Sequence, residues 1–187
     1  MLCVVSFLLA IVLVVIDQFT KQLAITHLMF QEPIPIIENV FSLQFRINTG
    51  IAMSMLEGER WLILPITCVV MALLAVMLLR SDLRHSKMFS ISCAMILGGG
   101  VGNLIDRLTY QYVVDFLYFE LIDFPIFNFA DCCVVVGAIL LFVYILFICK
   151  ESDISSLRGV IFGSKRSKKE HHDDNRDKDL DSSNGCE

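Results

Sequence analysis

Four apolar runs, at about residues 2–29, 61–79, 88–106 and 129–149, dominate this chain of 187 residues. A helix that crosses the hydrocarbon of a bilayer needs about 20 largely apolar residues. The runs meet that length, and 56% of all residues are apolar, too many for an ordinary soluble domain. Backbone polar groups inside lipid must be satisfied within their own segment, so each run reads as a helix. The expected fold class is therefore membrane all-α, a bundle of four transmembrane helices. Residues 1–150 form one membrane domain. Residues 151–187 form a charged tail without apolar periodicity, expected to be disordered and cytoplasmic.

The first run is informative at its end. Leu2 to Ile16 alone would span only ~22 Å at 1.5 Å per residue. To cross, the helix must continue through Asp17 and Lys21 towards Met29. Those two residues are four apart, share a face, and are expected to pair near the membrane. The segment lacks a basic start and an A-x-A-like cleavage site, so it reads as a retained helix rather than a signal peptide.

Positive charge marks the cytoplasmic side. The link between the second and third runs carries Arg80, Arg84 and Lys87, and the stretch after the fourth run carries Lys150, Arg158, Lys165, Arg166, Lys168 and Lys169. Four crossings put both on one side, with both termini cytoplasmic. Segments 30–60 and 107–128 then lie outside. The first contains Pro33 and Pro35, followed by Val40-Phe41-Ser42-Leu43-Gln44-Phe45-Arg46-Ile47, whose imperfect alternation suggests a strand or hairpin. The second is rich in Tyr and Phe, which favour the membrane–water interface. A small extracytoplasmic β-cap from the first segment and an interfacial second segment are expected.

Two aspartates sit at the borders of this framework. Asp115 lies in Val113-Val114-Asp115-Phe116, and Asp131 in Phe127-Asn128-Phe129-Ala130-Asp131, where the last run begins. A carboxylate beside hydrocarbon is costly and marks a functional candidate. The topology puts both on the outer side, where they can meet as an acid/base pair. Taken singly, Asp131 also reads as a charge complementing a helix N-terminus and Asp115 as a loop aspartate. Asn128 shares the face of Asp131. Gly98-Gly99-Gly100-Val101-Gly102-Asn103-Leu104-Ile105-Asp106-Arg107 ends the third run. Its glycines permit close helix approach, and Asn103, Asp106 and Arg107 share roughly one face. They serve either a site or an internal polar network. No phosphate loop follows from these glycines, since no Lys-Ser/Thr comes after them.

The seven cysteines show no zinc spacing, and most behave as small hydrophobes. No basic stripe with interleaved aromatics suggests nucleic acid. Neither a metal nor another cofactor is expected.

Five segments in order carry a specific resemblance: Asp17-Gln18-Phe19-Thr20-Lys21, Asn48-Thr49-Gly50-Ile51-Ala52, the glycine segment through Asp106-Arg107, Val113-Val114-Asp115-Phe116, and Phe127-Asn128-Phe129-Ala130-Asp131. Over about residues 10–148 the chain resembles bacterial lipoprotein signal peptidase (signal peptidase II), though Met53 stands where that family usually has phenylalanine. The resemblance implies an intramembrane aspartic endopeptidase of the bacterial inner membrane, which removes signal peptides from diacylglyceryl-modified prolipoproteins. It implies Asp115 and Asp131 as the catalytic pair. Asn48, Gly50, Asn103, Asp106, Arg107 and Asn128 would shape the site or contact substrate, with Asp17 and Lys21 as support. The partners expected are lipid-modified precursors and membrane lipid, acting on a monomer. Two close carboxylates that share one proton suit the chemistry, since they can activate a water and polarise an amide. The competing readings are a small transporter or proton relay, which calls for charges through the membrane depth, and a non-catalytic assembly factor.

Overall fold

A computed structural model describes residues 2–50, 60–80 and 86–149. The charged tail and Met53 lie outside the described residues. Four long helices, α1 (Leu2–Leu28), α2 (Arg60–Arg80), α3 (Lys87–Thr109) and α4 (Phe129–Phe147), pack around α3. Helices α1, α3 and α4 are long and apolar enough to cross a membrane, whereas the apolar part of α2, Leu64–Leu79, is shorter. Helix α3 overruns the expected end at 106 and reaches Thr109. It is also the most enclosed helix: half of its most apolar stretch is buried, against 11% for α1. Apolar side chains such as Val4, Leu8, Ile11 and Phe19 on α1, and Phe142 and Leu146 on α4, stay exposed as a lipid-facing helix requires.

The glycines of α3 make this central position possible. A Cβ at Gly98 would meet Ala10 and Leu13 of α1, and one at Gly99 would overlap the carbonyl oxygen of Ala130 on α4. A side chain at Gly102 would displace the carboxylate of Asp17. Close packing of backbones replaces a hydrophobic driving force that lipid does not supply. Gly99→Ala is therefore expected to cost about 1–3 kcal/mol through forced backbone shifts. Thermal unfolding of the detergent-solubilised protein reads this directly, and an unchanged midpoint would contradict the close approach.

Between the helices lie three strands, β1 (Ile34–Ile37), β2 (Phe41–Asn48) and β3 (Val113–Tyr118), in an antiparallel sheet of order β1-β2-β3. Strand β1 pairs with β2 from the stretch around Pro35, where the sequence argues only against helix, and β2 falls where the alternating pattern placed it. Strand β3 does not: it lies within the second outer segment, which was expected only to rest at the interface. Its first four residues are all buried, so it has no polar face to betray a period of two. Pairing puts Arg46 opposite Asp115 and Asn48 opposite Val113. The chain leaves α3 through Gln111 in the left-handed region, at φ 71°. It reaches α4 through a one-turn 3₁₀ helix, Glu120–Ile122, and a bridge in which Leu117 and Phe127 exchange backbone hydrogen bonds of 2.8 and 3.0 Å. That bridge sets Asn128 beside β3.

Two apolar clusters bracket the middle of the molecule. Leu74, Leu78, Phe89, Cys93, Leu97 and Tyr144 fill one, with Ala10 of α1. Ala24 and Leu28 of α1 meet Val114 and Phe116 of β3 in the other. Asp17 and Lys21 sit on α1 between them, and both are buried.

Candidate active site

The structure joins all ten residues singled out in the sequence into one polar network. Asp115 projects from β3 and is buried. Its Oδ2 accepts a hydrogen bond from Asn48 Nδ2 at 2.8 Å, and its Oδ1 accepts one from Asn128 Nδ2 at 2.6 Å. Asn48 is itself held by its Oδ1, which accepts from the Gly50 backbone N–H at 3.0 Å. Asn128 caps α4. Its Oδ1 accepts from the Asp131 N–H at 3.0 Å, while Asp131 Oδ2 accepts from the Asn128 N–H at 3.1 Å. This reciprocal capping box satisfies two otherwise orphan donors. Asp131 thus serves as part of the helix cap while also joining the polar network around Asp115. It stays partly exposed where Asp115 is enclosed.

Asn103 of α3 ties the two sides together. Its Nδ2 donates to Asp131 Oδ1 at 2.8 Å, and its Oδ1 accepts from Asn128 Nδ2 at 3.2 Å and from Lys21 Nζ at 2.8 Å. A lysine ammonium only donates, so it fixes which end of the Asn103 amide faces it and aims the NH₂ at Asp131. Arg107 donates to the carbonyl oxygens of Gly50 at 2.9 Å and Asn103 at 3.3 Å. It clasps the segment after β2 to α3.

Behind this lies a buried ion cluster. Lys21 Nζ sits 2.8 Å from Asp17 Oδ2 and 3.0 Å from Asp106 Oδ2, with all three residues at most 2% exposed. The pairing of Asp17 with Lys21 is the one their spacing suggested, and Asp106 joins them from α3. Gln18, to which no role attached in the sequence, also donates here: its Nε2 lies 2.9 Å from Asp106 Oδ1, 3.3 Å from Asp17 Oδ2 and 3.1 Å from the Gly102 carbonyl oxygen. Its position beside Asp17, three before Lys21, was the available signal.

The environment of Asp115 favours its neutral form. Burial, and next the negative charge of Asp131, push its carboxyl up to about 7, against the opposing hydrogen bonds from Asn48 and Asn128 and the charge of Lys21. Desolvation and a like charge raise a carboxyl together. Near neutral pH the Asp115 carboxyl is therefore partly protonated, beside a second carboxyl that keeps access to solvent.

A family model described as Signal peptidase (SPase) II matches residues 9–147. The chain belongs to the signal peptidase II family. Its relatives named lipoprotein signal peptidase include that of Halothermothrix orenii, 40% identical over 139 residues, covering 74% of this chain and 93% of the relative. The protein of Symbiobacterium thermophilum is 41% identical over 145 residues, covering 76% and 95%. A solved bacterial membrane enzyme, determined by the in meso method at 2.3 Å resolution, is similar in fold: TM-score 0.71 at 28% identity, over 76% of this chain and 87% of that one. A second such structure, at 1.9 Å resolution, gives 0.70 at 28% identity, over 78% and 94%. The peptidase is thus a membrane enzyme of an aspartic peptidase family, as the five segments implied.

Proposed function

We propose that Asp115 and Asp131 are the catalytic pair of an endopeptidase that cleaves signal peptides from diacylglyceryl-modified prolipoproteins in the bacterial inner membrane. The observation that carries this reading is the joining of the two acids through Asn128, which donates to Asp115 Oδ1 and forms the capping box with Asp131. Asp131, partly exposed at the positive end of α4, takes a proton from the attacking water. Asp115, in its protonated form, polarises the scissile carbonyl, and a proton then passes to the leaving amine. The surrounding apolar clusters strengthen these interactions by excluding water. Asn48, Asn103 and Asn128 aim the carboxyls, and Gly50 and Arg107 shape the wall beside them.

All four helices cross the membrane in this reading. Both termini and the tail 151–187 are cytoplasmic, the pair lies near the outer face, and the sheet forms a cap there. Residues 1–150 act as a monomer, with membrane lipid and lipidated precursor as partners. The buried charged side chains among the described residues, Asp17, Lys21, Asp106 and Asp115, gather in one network rather than in a series along the helices, which favours a peptidase over a proton path.

The test is cleavage of a diacylglyceryl-cysteine precursor by the purified full chain. The lipidated precursor is expected to be cut and the unlipidated one ignored, with Asp115→Asn and Asp131→Asn inactive. Equal cutting of both precursors would remove the substrate assignment. The pH profile supplies a second check. The proton on Asp115 is present below about 7 and is lost as pH rises through that value. Cleavage is therefore expected to fall about tenfold per pH unit on the alkaline side, and a profile that stays flat well above neutrality would contradict the role of Asp115.

A further inference from the structure

Two backbone N–H groups give the buried ion cluster a meaning beyond support. Asp17 Oδ1 accepts the N–H of Ala130 at 2.9 Å, and Ala130 immediately precedes Asp131. Asp106 Oδ2 accepts the N–H of Val114 at 3.2 Å, and Val114 immediately precedes Asp115. Each carboxylate of the cluster thus grips the residue before one of the two acids. Lys21 and Gln18, both on α1, are the side chains that bridge the two carboxylates.

We propose that Lys21 and Gln18 are positioning residues that set the distance between Asp115 and Asp131 by holding Asp17 and Asp106 together. The inference rests on the catalytic pair assigned above. Besides the direct link through Asn128, a path from one acid to the other runs Asp115, Val114, Asp106, then Lys21 or Gln18, then Asp17, Ala130 and Asp131. Asp17 and Asp106 carry like charges and would part without the ammonium between them. If they part, β3 and the first turn of α4 part with them. A misplacement of about 1 Å at reacting groups can cost on the order of a hundredfold in rate. Among the described residues, the charges around the pair are Asp17 and Lys21 from α1, Arg46 of β2 opposite Asp115, Asp106 and Arg107 from α3, and each acid for the other. Repulsion between the two acids makes the second proton of the pair hard to remove, so the alkaline limb of the rate profile reports their separation.

The obvious variant, Lys21→Met, strands two buried carboxylates. Two milder ones decide the matter in the full-length detergent-solubilised enzyme acting on a diacylglyceryl-cysteine peptide. Gln18→Met removes one bridge without changing charge. Lys21→Arg keeps the cation but replaces three tetrahedral donors by a planar fork. Both are expected to melt within a few degrees of the parent, with kcat lowered about tenfold and KM nearly unchanged. Both should narrow the rate profile from its alkaline side. Parental kcat and an unshifted profile in both variants would overturn the inference, and so would failure of Gln18→Met to fold, since the cluster would then be a folding anchor only. Asp115→Asn and Asp131→Asn run alongside. If either stays active, the catalytic assignment itself fails. If both are dead while Gln18→Met and Lys21→Arg match the parent, only the positioning role fails.

Discussion

Asp115→Asn and Asp131→Asn are each expected to leave a folded protein that cleaves lipidated precursor at least about 10⁴-fold more slowly than the parent. The expectation of a retained fold comes from the hydrogen bonds. Both oxygens of Asp115 accept, one from Asn48 and one from Asn128. An asparagine there keeps one acceptor and turns an NH₂ towards the second donor. At Asp131 the same conflict arises with Asn103. One buried bond lost to a polar clash costs about 1–3 kcal/mol, enough to lower the melting midpoint but not to unfold a bundle buttressed elsewhere. Catalysis has no such reserve. An amide can neither accept the proton from water nor give one to the leaving nitrogen. Turnover of a fluorescent lipopeptide, set beside the melting curve of the same sample, separates the two effects. Cleavage above about one per cent of parental in either folded variant would falsify the pair, because acid–base assistance of the usual size is larger than that.

Asn128 carries the next largest effect. It caps α4, donates to Asp115 and donates to Asn103. Asn128→Leu removes all three functions. Loss of an N-cap costs about 0.5–2 kcal/mol, and the buried acceptors left behind add to that. Removing one oriented donor at a reacting centre typically costs 10²- to 10³-fold, so a loss of about that size in kcat is expected. Asn128→Asp separates the two contributions. Aspartate caps a helix as well as asparagine, so the melting midpoint should stay close to parental. Its carboxylate would, however, lie against Asp115 Oδ1, where the Asn128 amide now sits at 2.6 Å. Like charges at that distance hold a proton between them, and Asp115 could no longer lend it to substrate. Activity is expected to remain low while stability recovers. An active Asn128→Asp enzyme would mean that Asn128 matters only as a cap.

The helices were readable because lipid imposes a length and a composition on any segment that crosses it. The expected span of 2–29 ends one residue past the observed α1, and Phe129 opens α4 as anticipated. The pairing of Asp17 with Lys21 was readable from helix geometry alone. Strand β3 was not. Val113-Val114-Asp115-Phe116 is buried throughout, so it shows no alternation, and its partner β2 lies more than sixty residues earlier. Strand pairing at that range is decided by tertiary contact rather than by local preference. Asn103 and Asn128 were visible as neighbours of the acids, yet the direction of each amide depends on Lys21 and on the cap of α4. Gln18 went unassigned because two of its three partners, Asp106 and the Gly102 carbonyl, come from another helix.

The crowded setting of α3 bears on how the molecule enters a bilayer. In the proposed topology this helix carries Asn103, Asp106 and Arg107 towards the hydrocarbon together with glycines that offer lipid almost no side-chain surface. Alone it would be a poor resident, because its polar groups find counterparts on α1, β3, α4 and Gly50. Helix α1 precedes α3 in the chain and carries the ammonium that Asp106 needs. In that topology α1 is already made when α3 emerges, and the third span is expected to insert as half of a matched set rather than on its own apolarity.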